Sequence, residues 1–231
     1  MYNLEEDVKL RRKTWIKIAN IPTARVGWTL EDCTDISDDD MELVNNWLKL
    51  FKRGEVIRAT NSKFCGKGLM LWGKPGQGKT TLALSLMQDV LRTFSLEEFD
   101  VKEGGALIRP AYFTTYNDLL SLYGRVIHDE GSDDDVVIYQ GLLGECPNDA
   151  YNIRLLIIDD IGKEHTTQTG WQKNVLHQVL RTRFNNGLPT IVTTNIEKKN
   201  WAGLYGDATE SFANEAFGYL PINSLKGDLR K

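Results

Sequence analysis

Three cysteines in 231 residues, Cys33, Cys65 and Cys146, are odd in number and widely spaced, and none lies in a CxxC or HxxxH pattern. That excludes a disulfide scaffold and a cysteine-based metal site, and leaves reduced thiols with packing roles. No apolar run approaches the ~20 residues of a membrane helix, and the charged N-terminus lacks a secretory apolar core. A cytoplasmic protein with no membrane role is expected. Internal repeats and low-complexity tracts are missing as well. What is there, 41% apolar residues with ordinary glycine and proline counts, suffices for one α/β core and a short appendage but not for a second core.

A net charge of -4 argues against a chain that coats nucleic acid by bulk electrostatics, yet the charges are segregated. Residues 9–26 carry Lys9, Arg11, Arg12, Lys13, Lys17 and Arg25 with no acid among them. Residues 31–42 carry Glu31, Asp32, Asp35, Asp38, Asp39, Asp40 and Glu42 with no base. A second acidic stretch, Asp129 to Asp135, opens what reads as a long loop reaching Asn152.

Residues 2–19 combine strong helix formers, acids first and bases later, with Leu4, Val8, Trp15 and Ala19 near one stripe. A second helix is expected from about Asp38 to Phe51, and the first 50 residues make no core by themselves. From Gly68 onward apolar strands alternate with helices: GLMLWG, KTTLALSLMQDVLRTF, ALIRPAYFTTY, NDLLSLYGRVI, RLLIIDDIG, WQKNVLHQVLRTRFNN, PTIVTTN, ESFANEAF and YLPINSL. This alternation implies a doubly wound parallel sheet covered on both faces, with its chemistry at the carboxyl ends of the strands.

Gly73, Gly78, Lys79 and Thr80 satisfy GxxxxGK[ST] between a strand and a helix, the context that gives the pattern its meaning. Glycines let the backbone curl so that successive N–H groups face phosphate oxygens at a helix N-terminus. Lys79 is a point charge for the β and γ phosphates, and Thr80 offers a hydroxyl to Mg²⁺. LLIIDD, residues 155–160, is a buried strand delivering two carboxylates to its end. Asp159 is assigned to magnesium, and Asp160 to polarising an attacking water, which would make the site hydrolytic rather than phosphate-donating. Asn195 closes the strand ending TTN and is placed to reach the γ-phosphate region.

Taken together, IANIPTARVGWTLEDC, GKPGQGKTTLALSL, AYFTTYNDLLSLY, LLIIDDIGKE, RTRFNNGLPTIVTTN and the terminal GDLRK resemble the AAA+ ATPases that load replicative helicases, of DnaC and DnaI type, with the IstB-type transposition helper ATPases as the alternative. The resemblance runs from about Ile18 to the end. It implies a five-stranded parallel P-loop core with little or no helical lid, ATP and Mg²⁺ as ligands, and a hexameric helicase and single-stranded DNA as partners, with self-association possible. On its pattern Gly73, Lys74, Pro75, Gly76, Gln77, Gly78, Lys79, Thr80 and Thr81 form Walker A, Asp159 and Asp160 Walker B, and Asn195 sensor I. Residues 1–50 become a helical, partner-docking extension and 51–231 the ATPase domain.

Two departures from the family pattern stand out. The helix ESFANEAF lacks the arginine that would reach a neighbour's γ-phosphate, so either Arg181 or Arg183 takes that role or trans-activation is lost; Arg230 resembles the family's terminal arginine. The short N-terminus has room only for a helix and linker, as in a compact, bacteriophage-encoded loader. Tyr112, Phe113 and Tyr116 are candidates for stacking on bases, and Lys198, Lys199 and the basic run at 9–17 for phosphate contacts.

Overall fold

Five short strands, each apolar on both sides, line up as one all-parallel sheet in the computed structural model, which describes residues 4–57, 62–93, 107–162 and 170–223. In chain order the strands are β1 (Gly68–Trp72), β2 (Ala111–Thr115), β3 (Leu155–Ile161), β4 (Thr190–Thr194) and β5 (Phe217–Pro221). Their order across the sheet is β2-β3-β4-β1-β5, with β1 between β4 and β5. Alternation sorts their side chains. Leu69, Leu71, Leu155, Ile157 and Ile191 join one core cluster, while Met70, Leu156, Ile158 and Val192 join the other.

The first face is covered by α1 (Leu4–Ile18), α2 (Asp38–Lys52) and α3 (Lys79–Thr93). The second carries α4 (Tyr116–Ile127), α5 (Asp133–Leu143), α6 (Gly170–Asn185), α7 (Trp201–Tyr205) and α8 (Asp207–Ala216). No helix follows β5 among the described residues, and no described helix is long and apolar enough to cross a membrane.

Two sequence expectations change here. The N-terminal segment does not stand apart from the sheet: Trp15, Ala19, Val44, Trp47 and Phe51 are buried in the same cluster as the strands. Trp15 Nε1 donates to the Leu107 carbonyl at 2.9 Å, Asn20 Nδ2 to the Phe113 carbonyl at 2.9 Å, and Phe113 N to the Ala19 carbonyl at 2.9 Å. A division at residue 50 therefore cuts through one core. The acidic stretch after Asp129 is also not all loop. Ser132 and Asp135 form a reciprocal capping box that starts α5 with three aspartates in its first turn, where the helix dipole favours them.

Candidate nucleotide-binding site

The loop between β1 and α3 can curl because it carries glycine where φ is positive, at +80° for Gly76 and +85° for Gly78. The curl puts the N-terminus of α3 at the carboxyl end of the sheet. Lys79 is nearly buried there, and its Nζ donates to the carbonyls of Gly73 at 2.8 Å and Lys74 at 2.9 Å and to Asn195 Oδ1 at 2.8 Å. The start of α3 and the residue after β4 thus meet across the β1·β4 seam.

The same helix start also reaches the end of β3. Thr80 Oγ1 donates to Asp159 Oδ1 at 2.8 Å, and the same carboxylate oxygen accepts from Thr193 Oγ1 at 2.6 Å. Hard oxygen donors so placed at the mouth of a phosphate loop are the set that suits Mg²⁺, so Thr80 and Asp159 can hold that ion.

Strict alternation would send Asp159 and Asp160 to opposite faces of the sheet. A bulge prevents this. The β3·β4 register shifts between Ile158 and Ile161, both of which face the same core cluster, and Asp160 takes a left-handed φ of +62°. Asp tolerates that backbone better than most residues, at a cost of about 1–2 kcal/mol for an ordinary L side chain. The outcome is that Asp160 lines the same cleft as the phosphate loop.

That cleft has a volume of about 480 Å³. One wall is Gly76 to Thr81 with Asp160 and Asn195; the other is Arg25, Trp28, Asp32, Cys33, Asp35 and Ile36. Sequence reasoning missed this second wall, having assigned none of its residues to the site. Arg25 stacks its guanidinium 4.4 Å from the Trp28 ring centre and comes within 3.5 Å of Thr81 Oγ1. Asp32 caps its own short turn, and hydrogen bonds from Thr29 N and Oγ1 hold its carboxyl below the usual range. Burial pushes the Cys33 thiol up, which fits a packing role.

The segment is tied down by α3. The buried Gln88 donates through Nε2 to the Arg25 carbonyl at 3.0 Å and accepts from Gly27 N at 2.8 Å, while Arg92 donates to the Trp28 carbonyl at 3.2 Å. A buried glutamine, one turn after the buried Ser85 on a largely apolar helix, was a local signal that something polar had to dock there.

Arg183 is not an arginine finger. It is fully buried, and its guanidinium donates to Thr190 Oγ1 at 2.9 Å and to the carbonyls of Leu142, Ile153, Arg154 and Pro189. Burial, with Arg154 nearby, lowers its pKa to about 9, so it stays cationic at neutral pH. It ties α6 to the C-terminal end of α5 and to the segments entering β3 and β4, and cannot extend toward a neighbour. Arg181 is exposed, with its guanidinium over the Phe212 ring and its Nε donating to His177 Nε2 at 3.1 Å.

The proposed base-stacking residues also divide. Phe113 and Tyr116 are buried, the latter donating its hydroxyl to the Gln172 carbonyl at 2.7 Å, so neither presents a ring face. Tyr112 is half-buried beside Arg109. Lys198 lies over the Tyr219 ring and Lys199 pairs with Glu197 at 2.5 Å. Lys163, Glu164 and Arg230 lie outside the described residues. Among the described residues no grouping of three or more His, Cys, Asp and Glu could hold a metal ion.

No protein-family model matches the chain, and no curated protein sequence does. Solved structures do match. The crystal structure of the DnaC helicase loader aligns with a TM-score of 0.58 at 23% identity, covering 87% of this chain and 100% of that one. The DnaI crystal structure aligns at 0.59 and 16% identity, covering 88% and 95%. The replication initiator DnaA bound to AMPPCP and single-stranded DNA aligns at 0.52 and 14% identity, covering 86% of this chain and 51% of that one. At these identities the likeness is one of fold: the chain has the α/β AAA+ fold of the DnaC and DnaI structures.

Proposed function

We propose that the chain is an ATPase that uses Mg²⁺ and loads a replicative DNA helicase. The observation that carries the ATPase reading is the convergence of Lys79, Thr80, Asp159, Asp160 and Asn195, drawn from two strand ends and one helix start, on one cleft of nucleotide size. Lys79 and the α3 N-terminus bind the phosphates, and Thr80 and Asp159 hold Mg²⁺, which neutralises charge on the phosphate oxygens. Asp160, on the bulge, accepts the proton of the attacking water. Asn195 bonds Lys79 and thereby reports the state of the phosphate site to β4.

Loading, rather than some other use of ATP, is supported by the length match with DnaC and DnaI, each of whose structures is spanned almost end to end by this chain. Contact with single-stranded DNA is supported by the DnaA complex. The reading places the protein in the cytosol with a hexameric helicase as partner.

Two measurements test it. Purified protein should turn over ATP in Mg²⁺ without any acceptor molecule, and should be retained by the replicative helicase of its host in a pulldown that depends on nucleotide. Absence of nucleotide binding refutes the ATPase reading. ATP turnover without helicase retention refutes the loader reading alone.

A further inference from the structure

We infer that Thr193 is a positioning residue whose single hydroxyl sets the geometry of the two carboxylates at the end of β3, Asp159 and Asp160, and so the rate at which bound ATP is hydrolysed. The inference rests on the ATPase reading above.

Its orientation follows from hydrogen-bond chemistry. Asp160 N can only donate, and it lies 2.9 Å from Thr193 Oγ1, so the hydroxyl oxygen accepts there. The one hydroxyl proton is therefore left for Asp159 Oδ1 at 2.6 Å. Thr193 is fully buried, so no bulk water competes for either bond. A neutral hydroxyl donating to a carboxylate at this distance is a strong, charge-assisted contact.

The bulge makes the contact necessary. Once β3 carries an extra residue, its backbone groups fall out of register with β4, and side chains take over. Thr193 Oγ1 receives Asp160 N, and Thr194 Oγ1 donates to the Ile161 carbonyl at 2.8 Å. The two threonines are not equivalent. Thr194 secures only backbone, whereas Thr193 also grips Asp159, which in turn accepts from Thr80 of the phosphate loop. A single oxygen thus links the proposed Mg²⁺ carboxylate to the backbone of the proposed base.

The test uses the full-length protein with Mg²⁺ and ATP, reading single-turnover hydrolysis, equilibrium affinity for a fluorescent ATP analogue, and Tm. Thr193→Val keeps shape and removes both bonds. It should lower the hydrolysis rate at least about tenfold while leaving nucleotide Kd within about threefold, because the phosphate loop is untouched. Thr193→Ser restores the hydroxyl and should recover most of the rate. Thr194→Val removes an equally buried hydroxyl of the same bulge and should keep the wild-type rate despite a comparable loss of Tm.

A wild-type rate in Thr193→Val overturns the proposal. So does an equal loss in Thr194→Val, which would make the bulge a general strut, or a serine variant as slow as the valine one. Should the valine variant not fold, Thr193→Cys replaces it: a thiol is a weak donor and acceptor, so the same loss of rate at unchanged Kd is expected, and a wild-type rate again overturns the proposal. A wild-type protein that binds no nucleotide refutes the ATPase reading instead, and is distinguished by the Kd measured before any variant is made.

Discussion

Replacing Arg183 with methionine isolates what a buried cation contributes when its partners are neutral oxygens. The guanidinium satisfies four carbonyls and one hydroxyl in a place with no solvent access. Hydrogen bonds to a charged group are worth about 1.5–3 kcal/mol each, and each buried acceptor left bare costs about 1–3 kcal/mol. Against this, methionine avoids the several kcal/mol of desolvation that the cation pays. The difference is a net loss of about 3–5 kcal/mol, in line with removing one side of a buried charged network. For a chain of this size each kcal/mol moves Tm by ~2–4 °C, so Arg183→Met should melt roughly 6–20 °C below wild type. Arg183→Lys should fall between them, since an ammonium cannot span so many acceptors. Thermal melting with urea titration at low temperature checks both. The reasoning is refuted if Arg183→Met melts with wild type yet loses ATP turnover that is restored by mixing with a Lys79→Ala protein. That result would mean the arginine works in a neighbour's site.

Lys79→Ala should abolish tight ATP binding, because the loop loses its cation at the phosphates; wild-type affinity by equilibrium titration would sink the assignment. Asp160→Asn should keep ATP bound and slow single-turnover hydrolysis by about 10²–10⁴-fold, and asparagine is the right replacement because it also tolerates positive φ at that bulge. Trp15→Ala should cost about 3–5 kcal/mol in chemical denaturation, as for a buried Trp, whereas a freely docking extension would show almost none. The Arg125 guanidinium, helped by Ser132 N, holds the Asp135 carboxyl down at about 2. A depressed carboxylate stabilises the fold above its unfolded value of 3.8 and loses that contribution as pH falls to about 2. The Tm difference between wild type and Arg125→Gln should therefore be present at pH 6 and shrink steadily as pH falls from about 4 through about 2.

The sheet was legible because parallel strands buried on both faces write continuous apolar runs, as LLII and TIV do here. The phosphate loop was legible because its glycines and Lys79 sit in one short segment. What escaped were consequences of distance. Nothing local to RTRF says that Arg183 turns inward, since the carbonyls it satisfies come from positions 142, 153, 154 and 189. The amphipathic α1 had no visible partner because that partner, α3 and residue 107, lies some 70 or more residues on. The bulge at Asp160 left no mark either, because two adjacent aspartates fit an unbroken strand end equally well. Helix α5 was different: its Ser132 to Asp135 capping box was readable, and the acidity of the stretch outweighed it.

The anchoring of residues 25–28 to α3 through Gln88 and Arg92 has a mechanical consequence. Helix α3 begins at Lys79, so the phosphate loop and the wall facing it ride on the same rod. Any tilt of that rod carries both jaws together and leaves the gap between them unchanged. A jaw that cannot open by helix motion is a poor transmitter of nucleotide state along that route. On the proposed ATPase reading, movement between nucleotide states falls instead between this rigid body and the end of β4, across the Lys79–Asn195 bond and the Thr80–Asp159–Thr193 chain. On that reading any displacement is directed toward β4 and the segment that follows it, with the Arg25–Trp28 side as the fixed reference against which it is made.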